Sequence, residues 1–187
     1  MYGILGEDLS DADTLKVLVR NIAADDSLKI KTKGFDGSGN LLKRGAGILK
    51  LYESEGMTHF IVCHDADGTD PSENHDKVMD KVIQPSGISD NYCVVIPVQE
   101  LEAWILADIQ AVTNIFKSWR PRAITNPESI QNPKEHMEKL SRTAKGRPRY
   151  AHATHNDRIA KYLDLAKVEK KCPSFNPFAD FVRDSSG

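Results

Sequence analysis

Apolar positions in the first 110 residues alternate between two patterns, short unbroken runs and helically spaced stripes. Tyr2–Leu5, Thr58–Cys63 and Tyr92–Pro97 are compact apolar runs of strand length. Leu28-Lys29-Ile30-Lys31-Thr32 alternates apolar and polar, as an edge strand does. Between the runs, Leu15, Leu18, Val19 and Ile22 stand at i, i+3, i+4 and i+7, the stripe of a helix lying on a sheet. Ser10 or Asp11 is placed to cap that helix, with Asp13 in its first turn. Gly34–Asn40 reads as a loop, Leu41 to about Glu55 as a helix, Gly68–Ser72 as a turn, and Glu73–Ile83 and Glu100–Asp108 as two more helices. Strands alternating with helices predict an α/β fold, a Rossmann-like, mostly parallel four-stranded sheet flanked by helices with right-handed crossovers. After about residue 110 the strand signals stop, and Pro121, Pro127, Pro133, Pro148, Pro173 and Pro177 punctuate helical and loop-like segments. The expected organisation is a core over residues 1–110 and a C-terminal helical extension, residues 111–187, packed on it.

Composition sharpens this picture in one respect. The 187 residues are 40% hydrophobic and 28% charged, which suits a globular protein rather than a disordered one. No apolar run approaches the roughly 20 residues that span a bilayer, and no membrane partner is expected. The first residues lack a basic stretch ahead of their apolar ones, which does not read as a signal peptide. Cys63, Cys93 and Cys172 show no CxxC spacing, and the first two lie inside strand-like runs. Buried free thiols and a cytoplasmic location are expected. The net charge of −2 conceals a split. Residues 1–110 carry 10 Lys and Arg against 19 Asp and Glu, net −9, and residues 111–187 carry 15 against 8, net +7. An acidic half beside a basic half suits a cation site adjoining an anion-binding surface.

The acids are not scattered. Glu7 and Asp8 follow the first apolar run, and Asp65 and Asp67 follow the third strand. In open parallel sheets ligands bind at the carboxyl ends of strands. Carboxylates gathered there repel one another unless a cation or a proton neutralises them. Mg²⁺ or Mn²⁺ takes oxygen ligands and often uses only one or two protein carboxylates. Past a strand end the chain turns, so the i, i+2 pair Asp65 and Asp67 can face one ion, and Gly68 lets the backbone leave sharply.

Ile4-Leu5-Gly6-Glu7-Asp8-Leu9-Ser10-Asp11 followed by an apolar helix, then Phe60-Ile61-Val62-Cys63-His64-Asp65-Ala66-Asp67, resembles the TOPRIM domain of topoisomerases, primases and OLD-type nucleases. That domain has a glutamate after its first strand and a DxD after its third. The family usually has Glu-Gly, whereas Gly6 precedes Glu7 here and Asp8 follows it. Pro97–Asp108 and Cys172-Pro173-Ser174-Phe175 are similar to segments of small prokaryotic TOPRIM-like proteins. The resemblance implies a TOPRIM-like core and a metal-dependent nuclease, or a related phosphoryl-transfer protein, acting on nucleic acid, with DNA favoured over RNA. It implies catalytic roles for Glu7, Asp65, Asp67 and Glu102, with Glu7, Asp65 and Asp67 as Mg²⁺ or Mn²⁺ ligands. It further implies a place in prokaryotic defence and, as partners beside the nucleic acid, an ATPase or further copies of the chain. On a helix Glu100 and Glu102 are about 200° apart, so both cannot easily face one site. Trp104 is expected to pack inward with Leu101 and Leu106, and Asp11 to cap rather than ligate.

The basic segment Lys139–Tyr150 is the candidate nucleic-acid surface. Lys139, Arg142, Lys145, Arg147 and Arg149 would contact phosphates and Tyr150 would stack on a base, with Trp119-Arg120-Pro121-Arg122 extending the patch. Other readings stay open. Asp65-Ala66-Asp67-Gly68-Thr69 matches the DxDGT motif of haloacid-dehalogenase-like phosphatases, in which Asp65 would be the nucleophile, although that motif usually follows a first strand. A non-enzymatic TOPRIM-like module that binds nucleic acid or a partner protein is the other alternative. His152 and His155 lack a third ligand for zinc, and Asp65, Asp67, Asp70 and Glu73 do not keep the spacing of a calcium loop. His64 is expected to face away from Asp65. Phe175, Phe178 and Phe181 are expected to dock a terminal helix.

Overall fold

The computed structural model describes residues 1–186. Strands β1 (Tyr2–Gly6), β2 (Ile30–Gly34), β3 (His59–Cys63) and β4 (Tyr92–Val95) alternate with helices α1 (Leu9–Ala23), α2 (Ser38–Ser54), α3 (Pro71–Val78) and α4 (Gln84–Ser86). The helices α5 (Glu102–Ala107), α6 (Pro133–Leu140), α7 (His152–Ala160), α8 (Leu165–Lys171) and α9 (Asn176–Asp184) follow. The sheet is all parallel in the order β2-β1-β3-β4. The expected four-stranded α/β architecture is therefore present. The chain passes outward from β1 to β2, then crosses back to β3, so the order reverses between β1 and β3. A crevice opens at such a reversal, at the carboxyl ends of the two strands.

Period-two alternation assigns each strand residue to a face. Ile61 and Cys63 join Ile4, Cys93 and Val95 in one cluster, and Phe60 and Val62 join Leu5 in another. The second cluster is closed by Leu41, Leu49 and Tyr52 of α2 and by Val78 and Val82. The first is closed by Leu15 and Leu18 of α1 and Trp104 of α5, but also by Met137, Ile159, Val168, Phe178 and Val182. The residues after 110 thus supply much of one layer over the sheet. Trp104 lies inside this layer with Leu101 and Leu106. Its ring stacks on Phe178 at 5.9 Å and meets Phe175 edge-on at 4.9 Å. Its Nε1–H donates to Ser174 Oγ, which satisfies the one polar atom of an otherwise apolar contact. Phe175 and Phe178 are buried and Phe181 packs beside them, as the terminal phenylalanines were expected to do. The three cysteines are buried and free. No described helix is long and apolar enough to cross a membrane.

Several boundaries differ from expectation, for local reasons. β2 runs Ile30–Gly34 rather than Leu28–Thr32, because its ladder begins where Tyr2 of β1 begins. The cap of α1 is Asp8, not Ser10 or Asp11. Asp8 accepts from the Asp11 N–H while the Asp11 carboxylate accepts from the Asp8 N–H, a reciprocal capping box. The helix expected over Glu73–Ile83 is α3 followed by a π-helical turn, Met79–Ile83. Helix α5 starts at Glu102, so Glu100 precedes it in irregular backbone and the helical rotation between the two glutamates does not apply.

Candidate functional site

Both acidic clusters sit at the reversal point. Past β3, the N–H groups of His64 and Ala66 bond to Val95 and Pro97 of the β4 chain. Alternation then turns the Asp65 N–H toward β1. The Glu7 backbone carbonyl is already engaged, accepting from Phe35 and Gly37. The Glu7 side chain fills the gap, and its Oε1 accepts from Asp65 N at 2.9 Å. Two residues 58 apart in sequence are thereby tied together by a backbone group left over at a strand end. His64 Nδ1 lies 3.3 Å from the same Glu7 oxygen. The expectation that His64 faces away is therefore corrected, since its ring bends back over the site. Asp67 has φ +49° and Gly68 φ +75°, so the chain turns out of the sheet through two left-handed residues, which Asp and Gly tolerate best.

Glu7, Asp8, Asp11 and Asp65 line one open pocket of about 330 Å³ together with Asp36, Asp67 and Glu100. One cation, Lys134, lines it too. Asp11 is only 3% exposed, Asp65 8% and Glu102 0%, so the charges are held in a poorly hydrated place. Burial pushes the Asp11 carboxyl up to about 8, with Asp8 and Glu102 adding to the effect. Burial likewise carries Asp65 well above the usual carboxylate range, reinforced by Asp11, Glu102 and Glu7 and opposed by Lys134. Glu7 is raised by burial, against the pull of His64 and of the Asp65 N–H. Glu102 is raised by burial as well, partly offset by Lys134 and by a hydrogen bond from Asn156. The Asn156 Nδ2–H donates to Glu102 Oε1 at 3.0 Å, and Asn156 Oδ1 accepts from the Tyr150 hydroxyl.

Lys134 enters from the start of α6. Its backbone N–H donates to Glu100 Oε2 at 2.8 Å, and its Nζ lies 3.9 Å from Glu100 Oε1 and 4.0 Å from Glu102 Oε1. Burial works against its charge, but Glu102, Glu100, Asp11 and Asp65 outweigh burial and hold the ammonium above its ordinary range. Two buried carboxylate oxygens, Asp65 Oδ1 and Glu102 Oε2, have no hydrogen-bond partner among the described residues. Orphaned acceptors of this kind are costly unless protonated or bound to a cation. A hard divalent cation, which takes oxygen ligands at about 2.0–2.6 Å, fits this donor set. As the side chains stand, no group of three or more His, Cys, Asp or Glu among the described residues is gathered closely enough to hold a metal ion. Glu7, Asp65 and Asp67 thus share a pocket without converging on one ion position, and Asp67 is the outermost of the three, an exposed residue. Glu102 sits behind the pocket, not on its lining.

The basic segment begins where α6 ends. Lys139, Arg142, Lys145 and Arg147 are exposed and Arg149 is half-buried. Thr143 N–H donates to the Arg147 carbonyl, closing the turn between them. Arg149 Nη1 donates to Ser118 Oγ, which brings the Trp119–Arg122 stretch alongside. Glu135–Leu140 of α6 separate Lys134 from this loop by about 10 Å along the helix axis. Tyr150 is a correction. It is 2% exposed and its hydroxyl is bonded to Asn156, so it offers no free face to a base and instead orients Asn156 toward Glu102. His152 and His155 take different partners, Asp8 and the Ala151 backbone, and do not converge.

Sequence reading missed Lys134, Asp11 as a pocket wall, Glu100, Asp36 and Asn156. Asp8 and Asp11 at i, i+3 before an apolar stripe were a visible capping signal. Lys134 and Asn156 carried none, since each is brought in by the packing of the C-terminal helices.

The fold and this pocket define a parallel α/β protein with a carboxylate-rich crevice at the sheet's reversal point. A family model described as "Domain of unknown function (DUF4276)" matches residues 13–183, and the chain belongs to that family. The matched span includes Asp65, Asp67, Glu102 and Lys134, while Glu7, Asp8 and Asp11 precede it. No curated protein and no solved structure matches the chain.

Proposed function

We propose that the protein is a Mg²⁺- or Mn²⁺-dependent phosphodiesterase acting on nucleic acid, with Glu7, Asp65 and Asp67 as the acidic wall of its site. The observation that carries this reading is the junction of Glu7 with Asp65 at the β1–β3 reversal, beside two buried carboxylate oxygens that lack partners. When bound, a divalent cation supplies charge stabilisation to the attacking and leaving oxygens of phosphoryl transfer. Glu7 is the residue suited to move a proton. Burial raises its carboxyl above the ordinary value, and a carboxyl positioned at the reacting group contributes by general acid–base catalysis. Asp65 and Glu102 present the oxygens that favour a cation, and Asp8 and Asp11 add carboxyl oxygens beside Asp65. The Lys139–Arg149 loop supports the nucleic-acid part of the reading, since exposed cations there can bind phosphates without reading sequence. The phosphatase alternative is less well supported. Its DxDGT motif usually follows a first strand, whereas Asp65-Ala66-Asp67-Gly68-Thr69 here follows β3, the third.

Plasmid and oligonucleotide cleavage with Mg²⁺, Mn²⁺ or EDTA tests the proposal. The expected result is cutting in metal, none in EDTA, and loss of at least about a hundredfold in both Glu7→Gln and Asp65→Asn. Nucleic-acid binding with no cleavage in any metal would overturn the enzyme and leave the binding module.

A further inference from the structure

Lys134 is an odd resident for a cation site. An ammonium and a metal ion repel, yet Lys134 lines the same pocket as Glu7, Asp11 and Asp65. Its head is not locked in place. The two carboxylate oxygens nearest to it are at 3.9 and 4.0 Å, beyond the roughly 2.7–2.9 Å of a charge-assisted hydrogen bond. Its backbone is locked, because the Lys134 N–H is bound to Glu100 and Pro133 fixes φ just before it. A fixed backbone with a free four-carbon arm lets the ammonium move while the rest of the site stays put. It also leaves the site unsaturated. Asp65 and Glu102, both almost fully buried, each keep one oxygen without a partner although a cation is within reach of the cluster.

We infer that Lys134 is a tethered counter-cation that competes with the divalent ion for the same buried carboxylates, so that the C-terminal half of the chain sets the metal affinity of the N-terminal half. This rests on the metal-dependent reading above. In the metal-free protein the ammonium is the counter-charge beside Glu100 and Glu102. When a divalent ion enters, the ammonium must swing toward the pocket mouth or stay and repel it. Either way its charge opposes loading. It is a positioning residue for the ion, distinct from the ligands.

Direct Mn²⁺ binding, followed by the electron paramagnetic resonance signal of free Mn²⁺ and by calorimetry, tests this on the full chain without reference to cleavage. Lys134→Met and Lys134→Gln remove the charge, Lys134→Arg keeps it, and Asp65→Asn removes the site. Even at the dielectric of water, a unit charge about 4 Å from a divalent ion weakens its binding roughly thirtyfold, so removing the charge changes the affinity on the order of ten- to a hundredfold. The expected result is Mn²⁺ binding tightened by that factor in Lys134→Met and Lys134→Gln and unchanged within about threefold in Lys134→Arg. The Gln variant can hydrogen-bond to the same carboxylates and keeps the test valid if the Met variant fails to fold. Equal or weaker Mn²⁺ binding in the folded neutral variants, with binding in the parent abolished by Asp65→Asn, overturns the competition and leaves the metal site standing. No Asp65-dependent Mn²⁺ binding in the parent overturns both.

Discussion

Asp11 shows how much a single side chain is asked to do. It closes the capping box of α1, lines the acidic pocket and lies almost wholly out of water. Its carboxyl is pushed up to about 8, whereas in the unfolded chain it keeps an ordinary value near 3.8. The folded protein therefore holds a proton that the unfolded chain has released. The stability this proton confers is fully present below about pH 4 and is lost as pH rises through about 8. Asp65, Glu102 and Glu7 are raised too and act in the same direction. In EDTA, thermal unfolding is expected at a lower temperature at about pH 9 than at about pH 5.5, with Asp11→Asn flattening the slope. A melting temperature that rises over that interval would contradict the electrostatic picture of the pocket. Asp11 also marks a boundary of what sequence discloses. Its capping role was close to legible, its neighbourhood was not, because Glu102 and Lys134 approach it only in three dimensions.

At the scale of elements, the site depends on how closely α1 enters over the sheet. Gly6 of β1 and Gly34 of β2 are partners in the ladder, and the chain passes over them at Asp8 and Leu9. A Cβ on Gly34 would stand 2.2 Å from Leu9 N and 2.4 Å from the Asp8 carbonyl carbon, both backbone atoms. Neither can rotate away. Gly34→Ala is therefore expected to displace the start of α1, costing about 2 kcal/mol or more of stability. It should also weaken Mn²⁺ binding, since Asp8 and Asp11 move with that turn. Urea unfolding and Mn²⁺ titration of the variant check the two effects separately. A variant as stable as the parent would mean that α1 is free to lift. The sequence showed the strands and α1 through their periodicities, and it placed Glu7 and Asp65 at strand ends, which is most of the pocket's acidic wall. It did not show the glycine pair as a crossing point, because register between β1 and β2 is a property of the sheet and not of either segment. Nor did it show the π-helical turn after α3, where the apolar spacing simply continues.

For the whole molecule, the acidic and basic halves visible in the charge count are not two bodies side by side. Met137, Ile159, Val168, Phe178 and Val182 share one apolar cluster with Ile4, Leu15 and Trp104. Burying side chains of this size is worth roughly 1.5–3 kcal/mol each, so losing these five costs about as much as the whole 5–15 kcal/mol stability of an ordinary domain. A fragment of residues 1–110 contains every strand and most of the acidic wall. It is nevertheless expected to be unfolded or aggregated, with no dispersed amide spectrum, whereas the full chain gives one cooperative transition. A well-folded fragment would show that the later helices are dispensable to the sheet. Chain order made the extension and its docking phenylalanines readable. The burial of Tyr150 and the arrival of Lys134 were not, because neither position bears a periodic or motif signal that separates a core residue from a loop residue.

The dependence on Lys134 and Asn156 has a consequence for the moment of synthesis. The ribosome completes the last strand at Val95 and the glutamate of α5 soon after. The lysine and the asparagine that answer Glu102 follow some 30 and 50 residues later, a delay of seconds at roughly 5–20 residues per second. Until then the nascent chain carries its buried acids without their cation and its sheet without half of one covering layer. A chain still being made therefore lacks the cation and the amide that offset Glu102 until α6 and α7 have been added.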